Sequence, residues 1–582
     1  MITVSNLSFS YPHKVLYDNV NFTIEKGQSC AFIGRSGCGK STLASMLLDR
    51  ELLIFDGDII LEDVYTMGYV SQFLDADPHS KQTVFDYIAR DILALQSRIA
   101  DLCTQMETAT EFDALLEEYQ TALDQYDAID GEHFESNLTK MLSLAGLAGH
   151  RDLEVAKLSG GEGKLVQVIR QMLTTPHFII LDEPDSFLDF ENQKALKDLI
   201  NSHKGTLLTI THSRYLLNHC FDKILHLEDG ALQEFEGSYQ AYQLFLLAYK
   251  VDLKEQSYKC ELEIERNAAL VEQRRELATE VDSAAHGRAL KARVSLQKRL
   301  EAERIAPPFL NIEVPEIALP MVEDMEEETL LTVTDYAVSF NMPLLENVSF
   351  TVKPGEKIAL IGENGAGKTT LMRALVKGED PAIVWSEDAK IAYLSQVHEE
   401  TFGDAVDLFD ACFDAGFKSY DEITETLGRF GFPAEKMTAK LSTLSGGEKT
   451  ILALARLSRS DANVLLLDEP SSHLDTYAQV ALEEALKAYK GAVLMISHDF
   501  YAIVNGMDGV LLMADKTVRP QRMRTFRKQI YANHFSKDYL QLEQEKQQLE
   551  ARIQQVLHKN DFTTAKELLE QMDTVVQAMD EA

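Results

Sequence analysis

Several features are scarce in this sequence, and each scarcity disfavours particular kinds of site or classes of protein. The six cysteines include no C-x-x-C pair, which disfavours a zinc ribbon, an iron–sulfur cluster or a disulfide scaffold and fits a reducing compartment. No window reaches the roughly 18 continuous apolar residues of a membrane helix. The first residues carry no basic segment followed by an apolar core. We therefore expect a soluble, cytoplasmic protein without membrane insertion.

Basic residues are also few. Lys and Arg number 56 against 93 Asp and Glu, so the formal net charge is −37. Phosphates repel a surface of that charge, which argues against adhesion of the whole surface to nucleic acid or anionic lipid. Any contact with nucleic acid must come from a local basic patch.

The 582 residues suffice for several domains, and four motifs occur twice in the same order. The string FIGRSGCGKS at 32–41 recurs as LIGENGAGKT at 360–369, and LSGGE at 158–162 recurs at 444–448. An apolar run ending in Asp-Glu-Pro follows each LSGGE, and a histidine follows that run. The serine of LSGGE precedes the aspartate by 23 residues in both copies, and the aspartate precedes the histidine by 30. Two copies of one domain are therefore predicted.

The string G-x-x-x-x-G-K-[ST] is the pattern of a phosphate-binding loop. Its glycines let backbone N–H groups close on phosphates, and the following helix points its positive end at them. Lys40 and Lys368 are predicted to bridge the β and γ phosphates, and Ser41 and Thr369 to hold Mg²⁺. The predicted nucleotide-binding residues of the two loops are Gly34, Arg35, Ser36, Gly37, Cys38, Gly39, Lys40, Ser41 and Thr42, then Gly362, Glu363, Asn364, Gly365, Ala366, Gly367, Lys368, Thr369 and Thr370.

Two short apolar runs, 178–181 and 464–467, each end in Asp-Glu. Such runs suit buried parallel strands, which would place the carboxylates at the carboxyl edge of the sheet, beside the phosphates. Asp182 and Asp468 are then predicted to serve Mg²⁺. Glu183 and Glu469 are predicted to orient and deprotonate the attacking water.

The LSGGE motif, 23 residues before that aspartate, resembles the signature of ABC-type ATPases. Other positions of both copies match the family as well. Gln72 and Gln396 are similar to the Q-loop glutamines, which lie near the metal. His212 and His498 match the switch histidine that contacts the γ-phosphate. These matches imply an ATPase that uses Mg²⁺.

Two aromatic residues ahead of the phosphate loops, Tyr11 and Phe340, match the family's adenine-stacking position. The resemblance implies an α/β fold with two P-loop NTPase domains in a head-to-tail sandwich. Each ATP would lie between the phosphate loop of one copy and the signature of the other, so that ATP joins the copies and hydrolysis releases them. The signature residues implied in this role are Ser159, Gly160 and Gly161, facing Lys368, and Ser445, Gly446 and Gly447, facing Lys40.

The domain boundaries follow from composition. The first copy carries about 38 extra residues, in which helical spacing of apolar positions predicts helices at about 84–106 and 109–128. This arm-like insertion, about 84–130, is alternatively an enlarged helical subdomain without a partner. The predicted domains are an ABC ATPase domain with its helical subdomain at 1–242, a helical linker at 243–325, a second ABC ATPase domain at 326–530, and a C-terminal helical hairpin or coiled coil at 531–582. The residues Lys559-Asn560-Asp561 predict a turn and cap between its two helices. The hairpin either mediates self-association or packs within the chain.

Tandem ABC domains without membrane spans, joined by a long charged helical linker, resemble the ABC-F proteins. Members of that subfamily bind the ribosome near the tRNA exit site, and some protect ribosomes from antibiotics. The insertion lies where ABC-F proteins carry their arm, and GSYQAY at 237–242 is similar to their G-x-Y-x-x-Y. The resemblance implies a ribosomal partner (rRNA or tRNA). Two basic segments, 286–304 and 516–528, have net charges of about +4 and +6 and could touch RNA phosphate; the linker segment is equally well a solvated helix face.

Two other functions fit the same motifs. One is the ATPase subunit of an ABC transporter that docks on separate membrane subunits; the other is a non-enzymatic scaffold gated by ATP. The chain also departs from the ABC-F pattern EPTNHLD, with EPDSFLD at 183–189 and EPSSHLD at 469–475, and it reads HSRY rather than HDRY at 212–215. These departures lie where the copies should touch, so they bear on the symmetry of the two sites.

Overall fold

The structure is a computed structural model of the chain. It describes all residues except 12–13, 62–66, 72–80, 108–111, 176, 187, 281–290, 292–293, 296, 298–314, 323–328, 341, 397–400, 404–406, 535–538 and 582. The chain divides into two units. One comprises Met1–Glu236 with Val314–Ile530, and the other comprises Gly237–Glu313 with Tyr531–Ala582.

The first half of the larger unit is built on a six-stranded sheet of order β5-β6-β7-β3-β8-β9. Its strands run parallel except for β9, which pairs antiparallel with β8. The apolar run predicted as a buried strand is β6, and all five of its residues are buried, as expected for a sheet covered on both faces. The strand bounds are β3 (Ser29–Gly34), β5 (Gly68–Val70), β6 (Phe178–Asp182), β7 (Thr206–Ile210), β8 (Lys223–Glu228) and β9 (Ala231–Glu236).

The second half repeats this sheet, with the order β14-β15-β16-β12-β17-β18. Here too only the last strand, β18, pairs antiparallel with its neighbour. The two predicted P-loop α/β domains are therefore confirmed, and we call them the first and second cassettes. The strand bounds are β12 (Lys357–Gly362), β14 (Ile391–Leu394), β15 (Val464–Asp468), β16 (Ala492–Ile496), β17 (Gly509–Ala514) and β18 (Thr517–Arg522).

Each cassette also has a three-stranded antiparallel sheet, of order β2-β1-β4 in the first and β11-β10-β13 in the second. Apolar side chains of these sheets share a core with the phosphate-loop helix and the central strands. This core fixes the phosphate loop against the sheet. The bounds are β1 (Ile2–Tyr11), β2 (Lys14–Ile24), β4 (Asp56–Leu61), β10 (Leu331–Ser339), β11 (Pro343–Val352) and β13 (Ile383–Trp385).

The helices predicted in the insertion are confirmed as α2 and α3. The first begins with a capping box, in which the Thr83 hydroxyl accepts from the Asp86 amide and the Asp86 carboxylate accepts from the Thr83 amide. The helices of the first cassette are α1 (Lys40–Leu48), α2 (Val84–Met106), α3 (Phe112–Ala128), α4 (Phe134–Leu144), α5 (Gly160–Thr174), α6 (Phe190–Ser202) and α7 (Arg214–Leu217).

The second cassette has shorter helices between its phosphate loop and its signature. Its helices, numbered after the linker helix α8 (Tyr239–Glu280), are α9 (Lys368–Lys377), α10 (Leu408–Asp414), α11 (Tyr420–Arg429), α12 (Gly446–Leu457), α13 (Thr476–Ala488), α14 (Phe500–Gly506) and α15 (Met523–His534). Of the helices that the structure describes, none combines the length and the apolar character that a bilayer-spanning segment requires.

The smaller unit contains α8 and the predicted C-terminal hairpin, which is confirmed as α16 (Tyr539–His558) and α17 (Phe562–Glu581). The turn lies where it was predicted, with Asn560 at φ 56° and the Asp561 carboxylate accepting from the Thr564 amide at 3.2 Å. Lys566 of α17 joins the hairpin to α8 through 2.8 Å ion pairs with Asp252 and Glu255. The hairpin therefore packs within the chain, on the helix that begins at the GSYQAY segment.

Candidate functional site

The two phosphate loops have the same conformation. Each joins the last residue of a strand, Gly34 or Gly362, to the first residue of a helix, Lys40 or Lys368. The residue before each lysine is a glycine in the left-handed region, with φ 112° and φ 103°, where a side chain would be strained. The predicted loop residues therefore surround a helix N-terminus, which is suited to meeting an anion.

Both lysines fold back over their loops. Lys40 Nζ donates to the carbonyl oxygens of Gly34 and Arg35 at 2.8 and 2.9 Å, and Lys368 Nζ makes the same two bonds to Gly362 and Glu363 at 2.7 and 2.8 Å. The amines are buried but stay inside the ring of the loop. A phosphate held by the loop would meet both the backbone amides and this ammonium group.

The strand-end carboxylates lie beside these loops. Asp182 ends β6, accepts from the Tyr69 hydroxyl at 3.3 Å, and lies within hydrogen-bonding reach of the Ser41 hydroxyl. Burial and then the neighbouring Glu183 raise the pKa of Asp182. A hydroxyl and a carboxylate oxygen are donors that Mg²⁺ accepts, so these residues fit the implied metal.

The equivalent residues of the second cassette, Thr369, Asp468 and Gln396, line one cavity of about 620 Å³. They supply the same oxygen donors as the first cassette and fit Mg²⁺ in the same way. Gln72, the glutamine predicted for the first copy, lies outside the described residues.

The residue after each aspartate adopts a left-handed backbone. Glu183 has φ 46° and Glu469 has φ 53°, and a non-glycine residue rarely adopts such a positive φ. Their amides donate across the sheet edge to the carbonyl oxygens of Ile210 and Ile496, at 2.9 and 3.0 Å. Such conformations cost roughly 1–3 kcal/mol and are concentrated at functional sites. Here the turn directs each glutamate away from its strand and toward the phosphate loop.

The cassettes meet head to tail at these loops. The Ser36 amide of the first phosphate loop donates to Asp475 of the second cassette at 3.3 Å, and the Ser36 hydroxyl lies 3.4 Å from the hydroxyl of the signature residue Ser445. In mirror fashion, the Asn364 amide of the second loop donates to Asp189 of the first cassette at 3.2 Å. Each phosphate loop is thus closed by the opposite cassette.

The signature segments begin helices α5 and α12 with identical capping boxes, Ser159 with Glu162 and Ser445 with Glu448. Ser159 and Gly160 line the same cavity as Lys368. Gly161 has no room for a side chain, since an added Cβ would lie 2.8 Å from Asn192 and 3.4 Å from Asn364 across the interface. Gly446 and Gly447 are likewise close-packed, against the backbone and ring of His473.

We name the two composite sites by their lysines. The Lys40 site consists of Lys40, Asp182, Glu183 and His212 of the first cassette with Ser445, His473 and Asp475 of the second. The Lys368 site consists of Lys368, Asp468, Glu469 and His498 of the second cassette with Ser159, Gly160 and Asp189 of the first. The structure therefore assembles the described candidate residues at two interfaces between cassettes.

Comparison with known proteins identifies the family. A family model described as ABC transporter matches residues 17–186 and 345–472, together just over half of the chain. The chain belongs to this family.

The relatives of this ABC protein span both cassettes. The probable ATP-binding protein YheS of Escherichia coli K12 is 29% identical over 541 residues, covering 89% of this chain and 80% of YheS. The putative ATP-binding protein YdiF of Bacillus subtilis is 28% identical over 518 residues, covering 86% and 78% of the two chains. ABC transporter F family member 2 of Arabidopsis thaliana is 27% identical over 538 residues, covering 88% and 76%. The resemblance to ABC-F proteins is thereby confirmed.

Among solved structures, the archaeal ribosome recycling factor aABCE1, crystallised with the archaeal ribosomal stalk protein aP1, has a similar fold. It aligns with a TM-score of 0.52 at 20% identity, covering 91% of this chain and 92% of that one. At this level of identity the likeness concerns the fold, which is that of two ABC domains in one chain.

The two glutamates of this ABC protein have opposite surroundings. Burial favours a raised pKa for Glu183, but contact with His473 of the other cassette and the proximity of His212 outweigh burial and lower its pKa to about 2. Burial and then Asp468 raise the pKa of Glu469 to about 8. At neutral pH, one glutamate is therefore ionised and the other protonated in the absence of nucleotide.

The switch histidines behave alike. Burial and then Lys40 lower the pKa of His212 to about 4, and burial and then Lys368 lower the pKa of His498 to about 3. Both imidazoles are neutral near pH 7, and each can therefore accept or donate one hydrogen bond at the phosphate end of its site.

The candidate adenine-stacking residues are exposed. Tyr11 ends β1 and packs edge-on against Phe9, with ring centroids 5.0 Å apart, while Phe340 follows β10 and is 72% exposed. An exposed aromatic face at the rim of a cassette is suited to stacking on a base. Stacking on adenine remains a prediction for both residues.

Arg214 forms a buried cluster between the cassettes that the sequence pattern did not reveal. Its guanidinium pairs with Glu483 and, at 3.3 Å, with Asp499 of the second cassette, and it lies 4.5 Å over the Tyr501 ring. Burial opposes its charge, but Asp499 and Glu483 outweigh burial and raise its pKa.

The positions equivalent to this cluster are not charged in the same way. The positions of Arg214, Glu483 and Asp499 correspond to Phe500, Lys197 and Ser213 in the opposite cassette. The cluster therefore forms once, not twice. Its only signal in the sequence was the departure HSRY at 212–215, which lacks the aspartate of HDRY.

Proposed function

We propose that this chain is an ATPase whose ATP-dependent closure of two cassettes regulates binding to the ribosome in the cytoplasm. The observation that supports hydrolysis most directly is the closure of each phosphate loop by the other cassette. Triphosphate held by Lys40 or Lys368 would contact both cassettes, so nucleotide binding favours the closed pair and loss of the γ-phosphate favours its opening. The functional residues are those of the two composite sites, within cassettes proposed at 1–242 and 326–530.

In this proposal, Glu183 and Glu469 orient the attacking water and accept its proton, and His212 and His498 contact the γ-phosphate. Gln72 with Ser41 and Asp182, and Gln396 with Thr369 and Asp468, would hold Mg²⁺. The metal would supply neutralisation of charge on the β and γ oxygens. The buried lysines, the loop amides and the opposite signature serine exclude bulk water and fix the phosphates.

Ribosome binding is supported by a basic surface on the second cassette. We define it as five exposed basic side chains, Lys516 just before β18, Arg519 and Arg522 of β18, and Arg524 and Lys528 of α15. The equivalent edge strand of the first cassette, β9, carries Glu234 and Glu236 instead. The basic charge is therefore not required by the fold, which favours a role in contacting an anionic partner such as RNA.

The other proposed RNA contact, the linker segment 286–304, falls mostly outside the described residues; of its basic residues, only Lys291 is described, on an exposed helical position. A ribosomal partner is also supported by the structural neighbour aABCE1, which is an archaeal ribosome recycling factor. Effects on translation or on antibiotic sensitivity would follow from where on the ribosome the chain binds.

The decisive test is the Glu183→Gln, Glu469→Gln double variant. With ATP, it should remain closed and sediment with ribosomes through sucrose, whereas the Lys40→Ala, Lys368→Ala double variant should not. Sedimentation with membranes instead would support the alternative, a transporter ATPase. Stable ATP binding by the wild type without phosphate release would support the non-enzymatic scaffold.

The basic surface is tested by salt dependence. Changing Arg519, Arg522 and Arg524 to Glu should weaken ribosome binding and reduce the slope of log affinity against log salt by about three, or about one per lost phosphate contact. A charge-matched control changes three lysines to Glu. These lysines, Lys353, Lys377 and Lys440, are exposed and dispersed over the same cassette. An equal loss in both variants would show that only net charge matters.

A further inference from the structure

Glu183 is contacted by a histidine of the other cassette. His473 Nδ1 lies 3.6 Å from Glu183 Oε2, and the same carboxylate oxygen is 3.4 Å from the Ser186 hydroxyl. Both partners of the contact are mostly buried, with side chains 19% and 23% exposed. A contact of this length shortens readily when a site closes on its substrate.

His473 is held in place from both sides. Its backbone is left-handed, with φ 62°, and the signature glycines of its own cassette pack against it. A Cβ added at Gly446 would lie 2.9 Å from the His473 ring, and one at Gly447 would lie 2.5 Å from its carbonyl oxygen. Two residues on, Asp475 accepts from the Ser36 amide. The imidazole is therefore fixed relative to both the signature and the opposite phosphate loop.

The Lys368 site differs at this point. Glu469 contacts a histidine of its own cassette, since His498 Nε2 lies 3.6 Å away and the His498 amide donates to Glu469 at 3.4 Å. The residue at the position equivalent to His473 is Phe187, and a phenyl ring has neither a hydrogen-bond donor nor a charge. A trans imidazole contact is thus available to Glu183 and not to Glu469.

We propose that His473 is a positioning residue for Glu183. The Lys40 site is then completed for hydrolysis by a side chain of the opposite cassette, whereas the Lys368 site receives no such side chain at the equivalent position. The imidazole N–H would hold one carboxylate oxygen of Glu183 and leave the other facing the attacking water. Because His473 reaches Glu183 only when the cassettes are closed, hydrolysis at the Lys40 site would require closure. This inference rests on the proposed ATPase function.

The test isolates the Lys40 site in a Glu469→Gln background. There, His473→Ala should lower kcat for ATP hydrolysis about tenfold, equivalent to about 1.4 kcal/mol, with KM changed less than twofold because the phosphate contacts remain. His473→Gln, which restores an N–H donor, should recover part of the loss. The matched control is His133→Ala, which removes an exposed histidine paired with Asp130 at 2.8 Å within the first cassette and should leave kcat unchanged.

Three outcomes would overturn the inference. One is an unchanged kcat in His473→Ala, and another is a kcat of His473→Gln no higher than that of His473→Ala. The third is a further tenfold loss when His473→Ala is added to Glu183→Gln, since a residue that acts through Glu183 adds nothing once Glu183 is disabled. Absence of phosphate release by the wild type would instead refute the proposed ATPase function.

Discussion

The Lys40 and Lys368 sites have phosphate loops of the same backbone conformation and differ in what the opposite cassette supplies. Both lysines bond to the same two carbonyl positions, and both glutamates share a left-handed turn. Yet the pKa of Glu183 is lowered and that of Glu469 is raised. The comparison shows that the same backbone conformation does not ensure equal chemistry, because Glu183 has a histidine contact from across the interface, whereas burial and Asp468 of its own cassette set the pKa of Glu469.

The unequal positions are concentrated in the segment after each Asp-Glu pair. Asp185, whose pKa burial raises to about 6, accepts from Thr211 at 2.6 Å. At the equivalent place in the second cassette, the Ser471 and Ser497 hydroxyls lie 3.5 Å apart. The first cassette therefore buries an extra titratable group close to its catalytic glutamate. This segment therefore contributes to the asymmetry between the two sites, together with the Arg214 cluster.

The largest effect expected to distinguish the two sites comes from substituting each of the two glutamates alone. Glu183→Gln should lower the overall kcat for ATP hydrolysis by tenfold or more, since a positioned base contributes roughly 10²–10⁴-fold to its own site and Glu183 alone has the trans histidine. Glu469→Gln should lower kcat less than about twofold. Phosphate release at saturating ATP and pH 7.5 measures both.

The substitutions are matched, because each replaces a glutamate by its amide in the same turn. Equal losses would mean that the two sites turn over at equal rates, and a larger loss in Glu469→Gln would reverse the assignment.

The next effect concerns the buried cluster at Arg214. Arg214→Met leaves Glu483 and Asp499 buried without their cation, a change that typically costs about 3–5 kcal/mol. We expect the midpoint of urea unfolding to fall accordingly. Phe500→Met, at the equivalent position of the second cassette, removes only apolar contacts and should cost about 1 kcal/mol.

Adding Glu483→Gln and Asp499→Asn to Arg214→Met should recover part of the lost stability, because no carboxylate is then left unpaired. No recovery would show that the cost of Arg214→Met comes from packing rather than from charge.

A third effect is a pH dependence of stability in the nucleotide-free protein. The pKa of Glu469 is about 8 when folded and near its ordinary value of about 4.3 when unfolded. Between these values folding takes up a proton, so stability falls as pH rises, by up to about 1.4 kcal/mol per pH unit. Glu469→Gln lacks this term, and its thermal midpoint should therefore rise relative to the wild type from pH 5 to pH 8.

Glu183→Gln is the contrasting variant. The pKa of Glu183 is about 2 when folded, so its contribution to stability is lost only as pH falls below about 4. Between pH 5 and pH 8, the difference in thermal midpoint between Glu183→Gln and the wild type should stay constant. A slope in both variants would contradict the opposite pKa shifts of the two glutamates.

Sequence reasoning predicted the elements whose signals are local. Helical spacing of apolar residues gave the insertion helices, now α2 and α3, and the asparagine and aspartate at 560–561 gave the turn of the C-terminal hairpin. The phosphate loops and the strand-end carboxylates were predicted from their residue pattern, and the signature from its resemblance to ABC-type ATPases, since each motif lies within a few residues of chain.

Contacts across the interface could not be predicted in this way. His473 and Glu183 are 290 residues apart in the sequence, and Arg214 and Asp499 are 285 apart, so no periodicity connects them. The departures from the family pattern lie in the segments that form these contacts. Only the folded chain shows which residue of one cassette contacts which residue of the other.

The single Arg214 cluster also influences which surfaces will associate. Two first cassettes placed face to face would bring together Arg214 and Lys197, and two second cassettes would bring together Glu483 and Asp499. The first arrangement would bury like charges, and the second would leave Glu483 and Asp499 facing Phe500 instead of a cation, so both are disfavoured. These charges therefore favour pairing of the first cassette with the second over pairing of two identical cassettes. They also disfavour the exchange of cassettes between neighbouring molecules.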